Sequence, residues 1–177
     1  GVISADTSLS MPDFRAAERT FQLVAQVAGR AGRGEHAGHV VVQTNNPREP
    51  SIVLAARHDY VRFAGIELGH RAAAGLPPIS RMARIVCRHE VLKEAENAAA
   101  RIAKGLLAAA VALGERVVLT GPMPCPISRI GDHHRIAVEL LADGRAVLQR
   151  VLGTVRVQGL LISDAHTAVD VDPLALL

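Results

Sequence analysis

The residues with the clearest chemical potential form the run Gln26-Val27-Ala28-Gly29-Arg30-Ala31-Gly32-Arg33, at the end of a helical pattern. Arg30 and Arg33 are three positions apart, so they lie on the same side of a last helical turn. The glycines beside them let the backbone approach a ligand and leave the helix without a Cβ penalty. Guanidinium groups are always charged and match phosphate oxygens, so a rigid pair can stabilise charge that develops on a transferring phosphate. The run predicts a phosphate site; solvated arginines at an ordinary helix end are the alternative.

A second basic group follows the segment Gly121-Pro122-Met123-Pro124-Cys125-Pro126. Its three prolines remove hydrogen-bond donors and fix φ, which predicts a stiff extended loop and excludes a helix or a central strand. Gly131-Asp132 then reads as a hairpin turn. The basic residues around the turn are Arg129, His133, His134 and Arg135. These residues could contact phosphates. Alternatively, they could form a solvated hairpin whose charges keep the edge of the sheet from pairing with another chain.

The candidate metal ligands are sparse. Cys87 and Cys125 have no CxxC spacing and no histidine at ligand spacing, so we expect reduced, buried thiols. Asp170 and Asp172 could form a metal pair, but no third carboxylate is near in sequence and a capped strand end is favoured. The sequence therefore predicts no metal site.

The composition favours helices packed on sheets. Of the 177 residues 49% are hydrophobic, chiefly Ala, Val and Leu, and only 2% are aromatic, so base stacking is not favoured. The formal charge is +3, and of the 20 Lys and Arg residues only Lys93 and Lys104 are lysines. This excess of arginine reflects either the composition of the source genome or a preference for phosphate contact. No apolar run reaches membrane-spanning length uninterrupted, so we expect a cytoplasmic protein without a membrane partner.

The first third of the chain has the pattern of a βαβ unit. A strand over Gly1–Asp6, a helix over Glu18–Ala31 and a strand over His39–Gln43 are predicted. A parallel sheet normally needs more strands and covering helices, so we expect residues 1–45 to be the last piece of a larger α/β domain. Helices over Ile52–Arg57 and Tyr60–Ala74 then predict a helical connector over residues 46–78.

Residues 79–177 are predicted to form a separate α+β domain. The predicted strands are Met82–Arg88, Arg116–Leu119, His134–Leu141 and His166–Val171, and the helices are Val91–Leu113 and Gly144–Leu152. The order βαββαβ is that of a split-βαβ, ferredoxin-like layer of helices on a four-stranded sheet.

Several of these segments carry a family resemblance. The run from Gln26 to Arg33 resembles motif VI of superfamily 2 helicases. Further segments extend this resemblance along the chain: Ala5-Asp6, Pro12-Asp13-Phe14-Arg15-Ala16, Glu18-Arg19, Phe21-Gln22-Leu23, Leu76-Pro77-Pro78, Thr120–Pro124 and Val169–Pro173. Together they resemble, in order and over nearly the whole chain, the C-terminal end of the PriA family of primosomal replication-restart helicases.

The resemblance implies an ATP-dependent 3′–5′ DNA helicase acting at stalled forks. Residues 1–45 would be the end of a RecA-like helicase lobe, with the nucleotide-binding loop upstream, so this chain alone should be inactive. Arg30 and Arg33 would be arginine fingers for ATP and Mg²⁺, with Gln26 beside them. Asp6, Asp13 and Arg15 would couple nucleotide to DNA, unless they only cap a strand end and a loop.

The resemblance also implies partners and a departure from the family pattern. Forked and single-stranded DNA, single-strand binding protein and primosome proteins are the implied partners. Zinc occurs in the family, but this chain has no zinc ligands. At the hairpin the family often places aromatic residues where this chain has His133 and His134, which weakens base stacking and leaves phosphate contact. The alternative function is a non-catalytic DNA- or partner-binding module.

Overall fold

Residues 1–31 and 39–176 are described by the computed structural model, and across them six helices and one four-stranded antiparallel sheet are formed. The chain divides into two units, residues 1–74 and residues 75–177. The predicted three-part division at residues 45 and 78 stays a prediction.

The first unit is built from helices. They are α1 (Asp6–Leu9), α2 (Ala16–Ala31), α3 (Pro50–Ala56) and α4 (Tyr60–Ala73). Pro50 suits the first position of α3 because that position needs no backbone donor. The Asp59 carboxylate caps α4 by accepting a hydrogen bond from Arg62 N at 3.1 Å. The predicted helices in this unit are therefore present, with ends shifted by one or two residues.

Aromatic packing joins α2 to α4 in this unit. The rings of Phe21 and Phe63 are stacked with centroids 4.4 Å apart, and Tyr60 meets Phe21 edge-on at 5.8 Å. The buried cluster joins the two phenylalanines to Val24, Leu54 and Ala55, whereas Tyr60 is 60% exposed. Two of the chain's few aromatic side chains therefore lie in one core.

The two predicted strands of the first unit are reduced to a single parallel bridge between Val2 and Val42. Val2 N donates to Val41 O and Gln43 N donates to Val2 O, each at 2.9 Å. The prediction of a strand over Gly1–Asp6 is wrong at its end, because Ser4 has φ 57° and Asp6 begins α1. Among the described residues no further strand extends this parallel pair.

The second unit contains the sheet. Its elements are β1 (Arg81–His89), α5 (Leu92–Leu113), β2 (Val117–Ile130), β3 (His133–Ala142), α6 (Arg145–Val157) and β4 (Thr167–Val171). The strand order is β2-β3-β1-β4, and every neighbouring pair is antiparallel. The predicted βαββαβ order of a split-βαβ layer is confirmed, although α6 runs five residues past its predicted end at Leu152.

The two faces of the sheet differ, as period-2 alternation requires. One face packs on α5 and α6 and carries Ile85 on β1 and Val138 and Leu140 on β3, all fully buried. The other face carries a smaller cluster of Val86, Cys125 and Ala137. Small alanines on α5, such as Ala99, allow that helix to approach the sheet closely.

The prediction of a loop over Gly121–Pro126 is wrong, because β2 runs through this segment. Prolines are tolerated there since β2 is an edge strand that pairs with β3 only. The pairing shifts register between Thr120 and Met123 and again between Pro124 and Arg129. These irregularities accommodate the residues that cannot join a regular ladder.

Candidate nucleic-acid interface

The hairpin predicted at Gly131-Asp132 is confirmed. Gly131 has φ 57°, which a residue without Cβ adopts freely, and the turn joins β2 directly to β3. Ile130 faces His133 and Arg129 faces His134 across the pair. The four predicted basic residues therefore surround one turn at one end of the sheet.

The basic side chains of the hairpin divide between the two faces of the sheet. His134 lies on the side of the buried Ile136, which packs on the helices, and its cross-strand partner Arg129 shares that side. His133 and Arg135 lie on the opposite side, the side of Ala137. Each face thus receives one arginine and one histidine.

Two local contacts hold the arginines of this hairpin. Arg129 Nη2 lies 3.6 Å from Asp132 Oδ1, with 57% and 88% of the two side chains exposed, so the pair adds little stability. Arg135 Nη1 donates to the carbonyl oxygen of Ile127 at 3.1 Å. Arg135 is therefore the better positioned of the two for a directional contact.

Three further basic residues join the hairpin, and sequence reasoning missed them. The register of β1 and β3 places Arg88 opposite Arg135 and His89 opposite His134. The rings of His89 and His166 have centroids 6.1 Å apart. These residues are remote in sequence, so only the strand register, which local patterns do not reveal, could have indicated them.

The loop before β4 is organised by Asp164. Its Oδ1 accepts hydrogen bonds from His166 N at 2.8 Å and Thr167 N at 2.7 Å. These two backbone donors lower the pKa of Asp164 below its usual value. The carboxylate thus places His166 beside the end of β1, where Arg88 N donates to His166 O at 2.7 Å.

The predicted ATP-site residues are only partly described. Gln26 and Arg30 are exposed and four positions apart on α2, so they share one face of the helix. Arg33 lies outside the described residues. The described geometry therefore shows two exposed side chains at a helix end and leaves their role as predicted.

The acidic residues of the first unit have structural partners. Asp13 is 8% exposed, accepts a hydrogen bond from Arg15 N at 2.9 Å and pairs with Arg19 at 3.1 Å. Asp6 accepts from Asn45 N and Thr44 Oγ1, each at 2.8 Å, and these bonds lower its pKa. This geometry fits the loop-capping alternative, while the coupling role predicted for Asp6, Asp13 and Arg15 stays a prediction.

The remaining candidate ligands have ordinary surroundings. Asp172 pairs with Arg81 at 3.1 Å, as expected of a capped strand end. Cys87 and Cys125 are both buried, and burial raises the pKa of Cys87 to about 11. Within residues 1–31 and 39–176, no three His, Cys, Asp or Glu side chains converge on a position suited to a metal ion.

The fold and the basic hairpin define a split-βαβ domain whose sheet ends in a cluster of cations. Residues 72–174 match the family model described as the primosomal protein N C-terminal domain. Over 76% of its length the chain is 45% identical to the replication restart protein PriA of Bacillus subtilis (strain 168). It is 38% identical to that of Treponema pallidum over 100% of its length and 35% identical to that of Synechocystis over 99%. The chain therefore belongs to the PriA family and corresponds to its C-terminal part.

The matches cover only part of each relative. The chain spans 16% of the Bacillus protein, 26% of the Treponema protein and 21% of the Synechocystis protein. None of the helices in the described part of the chain is both long and apolar enough to cross a membrane.

Proposed function

We propose that this chain acts in replication restart as the C-terminal part of an ATP-dependent DNA helicase, and that its second unit contacts DNA phosphates. The observation that carries the DNA-binding proposal is the β1–β3 register, which adds Arg88 to the arginines of the hairpin at one end of the sheet. Membership of a family whose relatives are named replication restart proteins supports the cellular role.

The chemistry of the hairpin favours contact with the DNA backbone over contact with bases. Arginine forks match phosphate oxygens, and a turn closed by a two-residue loop loses little entropy on binding. Residues 75–177 contain no Phe, Tyr or Trp, the side chains that most often stack on bases. Binding should therefore be insensitive to base sequence and should weaken steeply with salt.

The test is binding of the 177-residue chain to single-stranded and forked DNA across a salt series. Arg129→Ala combined with Arg135→Ala should weaken binding and reduce the salt slope by roughly two units, one for each arginine that no longer neutralises a phosphate. Arg116→Ala is the matched control, because this exposed arginine precedes β2 at the opposite end of the sheet. Unchanged affinity and slope in the double variant would leave the hairpin as a solvated turn that only guards the sheet edge.

For the helicase activity we propose that Arg30 and Arg33 act as arginine fingers on ATP and Mg²⁺, with Gln26 beside them. The exposed position of Gln26 and Arg30 at the end of α2 supports this role. The parallel bridge of Val2 and Val42 around α2 is compatible with the proposed end of a RecA-like lobe. Asp6, Asp13 and Arg15 would link that lobe to DNA, and the family's zinc would be bound by residues outside this chain.

The finger proposal is tested in a longer protein that carries the nucleotide-binding loop. Arg30→Ala should lower the rate of ATP hydrolysis by on the order of 10³ with little change in nucleotide affinity, since a finger acts on charge in the transition state. Gln22→Ala, on an exposed position two turns earlier in α2, is the control. Equal losses in rate and affinity would assign Arg30 to structure.

The second candidate function is a non-catalytic DNA- or partner-binding module. The self-contained core of the second unit favours it, because the basic hairpin does not depend on α2. Single-strand binding protein and primosome proteins are the proposed partners in either case. Restart activity that survives Arg30→Ala in the longer protein, but not the hairpin variant, would select the non-catalytic function.

A further inference from the structure

A cavity of about 300 Å³ opens beside the basic hairpin, and its position on the sheet can be stated from the strand register. It is lined by Arg88, Ile130, His133, Arg135 and Ala165. Val86 and Ala137 are cross-strand partners on the face away from the helices. Arg88 and Arg135 lie two residues further along the same strands and are partners themselves, so they share that face.

The two arginines place like charges directly opposite each other. Side chains that face each other on neighbouring antiparallel strands have Cβ atoms about 4.5–5.5 Å apart, and like charges there repel. A bound anion between the two guanidinium groups would replace this repulsion with two attractive contacts. The bond from Arg135 Nη1 to Ile127 O fixes one of the two side chains in advance, which lowers the entropy lost on binding.

The charge and donor count of the cavity select the kind of anion. A phosphomonoester carries a charge of about −1.5 to −2 at pH 7 and presents three acceptor oxygens, whereas a phosphodiester within a DNA strand carries a single negative charge. Two guanidinium groups balance the dianion. His133 adds a third donor, because an imidazole carries at least one N–H in either protonation state.

The rest of the lining suits the remainder of a nucleotide. Ile130 is 56% exposed and forms an apolar wall beside the charged groups. A cavity of about 300 Å³ lies at the small end of the range for ligand sites. The site therefore has room for a phosphate together with its sugar, and an apolar surface for the sugar to contact.

We propose that this cavity, the Arg88–Arg135 pocket, binds a phosphomonoester of a nucleotide, either at the 5′-phosphorylated end of a DNA strand or on a free nucleoside monophosphate. Where the ligand is a DNA end, the inference rests on the DNA contact proposed above. It goes beyond that contact because it separates strand ends that carry a phosphate from those that do not.

The test compares two single-stranded oligonucleotides of one sequence, with a 5′-phosphate or a 5′-hydroxyl and the fluorescent label at the 3′ end. The 177-residue chain should bind the phosphorylated strand about tenfold more tightly, from the extra charge-assisted hydrogen bonds. In competition, 5′-AMP should displace the phosphorylated strand, and 3′,5′-cyclic AMP, a diester of the same nucleoside, should not.

The variants assign any preference to the pocket. Arg88→Ala should abolish the preference for the 5′-phosphate and the competition by 5′-AMP, and Arg88→Lys should keep the charge and part of the preference. Arg116→Ala should retain both in full. Circular dichroism of each variant separates loss of the site from loss of the fold.

The outcomes distinguish this inference from the DNA contact on which it rests. Equal affinity of the unaltered chain for the two strands with no competition by 5′-AMP, or a preference unchanged in Arg88→Ala, would overturn the pocket while leaving salt-dependent DNA binding intact. Binding of 5′-AMP that depends on Arg88, without binding of either strand, would support the pocket and overturn the DNA contact.

Discussion

At the scale of single residues, Asp164 shows how one carboxylate sets the approach to an edge strand. Its oxygen accepts two backbone hydrogen bonds, from His166 and Thr167, and its own N–H donates to Thr167 O at 2.9 Å. The pKa of Asp164 is lowered because both side-chain contacts favour the charged form. Its stabilising contribution is therefore full above the pKa of an unfolded aspartate and is lost as the pH falls through the lower, folded value.

The Asp164 prediction concerns the pH dependence of the melting temperature. Asp164→Asn should melt below the unaltered chain at neutral pH, because the amide oxygen accepts the two hydrogen bonds less strongly than the charged carboxylate. The gap should close as the pH falls below the usual range of an aspartate, since the unaltered side chain then becomes neutral too. Asp143→Asn, at an exposed position after β3, should show no such convergence. A gap that persists undiminished at low pH would contradict the prediction.

Arg71 provides the second prediction at this scale. The residue is 7% exposed and its guanidinium bonds Glu67 at 2.8 Å and Glu18 at 2.9 Å, so it ties α4 to α2. Burial acts to lower its pKa, but the bonds to Glu18 and Glu67 outweigh burial and raise the pKa of Arg71 above its ordinary value. Arg71→Ala should therefore lower the free energy of unfolding by roughly 2–3 kcal/mol. This is less than the loss expected when a fully buried ion pair is broken, because Glu18 is partly exposed.

Tyr60 makes the Arg71 prediction measurable in one unit. It is the only tyrosine, the chain has no tryptophan, and it lies on α4, so tyrosine fluorescence during urea unfolding reports the first unit. Arg57→Ala removes an exposed charge beside α3 and should leave the transition within about 0.5 kcal/mol. A shift no larger than that in Arg71→Ala would show that the ion pairs are dispensable.

The residues around the hairpin turn were predictable because their signal is local. Gly131-Asp132 marks a turn wherever it stands between extended segments, and the adjacent basic residues follow it in sequence. Arg88, His89 and His166 reach the same place only through strand pairing over long separations. The sequence therefore predicted the hairpin residues of this site and not the residues that β1 and the loop before β4 add to it.

At the scale of elements, β2 shows where reasoning from residue type fails. The prolines correctly excluded a central strand, but an edge strand uses hydrogen bonds on one side only, and its position at the edge follows from the whole sheet. The helices α2 and α5 were predicted well because their apolar spacing is long and regular. The end of α4 was predicted from Gly75 and Pro77-Pro78, which stop a helix. The strand over Gly1–Asp6 was overpredicted because an apolar start gives no sign of how many neighbours a strand has.

Gly121 supplies the prediction at this scale. A Cβ at this position would lie 2.6 Å from Ala137 O and 3.2 Å from Met123 N, and φ is 96°. Because the neighbours are backbone atoms of β2 and β3, they can yield only by separating the strands. Gly121→Ala should therefore destabilise the second unit by at least about 2 kcal/mol, from strain and broken ladder bonds together.

The matched control for this prediction is Gly114→Ala. Gly114 also has positive φ, 67°, but a Cβ added to it, at the end of α5, would have no neighbouring atom within 4 Å. Gly114→Ala should lower the free energy of unfolding by only about 1 kcal/mol, the penalty for an alanine in a left-handed conformation. Thermal unfolding followed by far-ultraviolet circular dichroism measures both; equal losses in the two variants would show that the contact with Ala137 O yields easily.

At the scale of the whole molecule, the two units have separate cores. The buried residues of the large cluster under α5 and α6 lie between Ala83 and Leu161, Val169 and Val171 of β4 pack against it, and all four strands lie within residues 75–177. The match to the primosomal protein N C-terminal domain covers residues 72–174, almost the same span. We therefore expect residues 75–177, produced alone, to unfold in a single cooperative transition.

The boundary of this unit can be tested at Ser80. Ser80 is 7% exposed, and its hydroxyl donates a hydrogen bond to Gly75 O at 2.7 Å. A fragment that begins at residue 79 lacks this acceptor, so the buried hydroxyl loses its hydrogen bond. The fragment 75–177 should be more stable than 79–177 by about 1–2 kcal/mol. Ser80→Ala in both fragments should shrink that difference, because the donor is then absent from each. Urea unfolding of the four proteins measures the coupling; a difference that Ser80→Ala leaves unchanged would assign it to other contacts of residues 75–78.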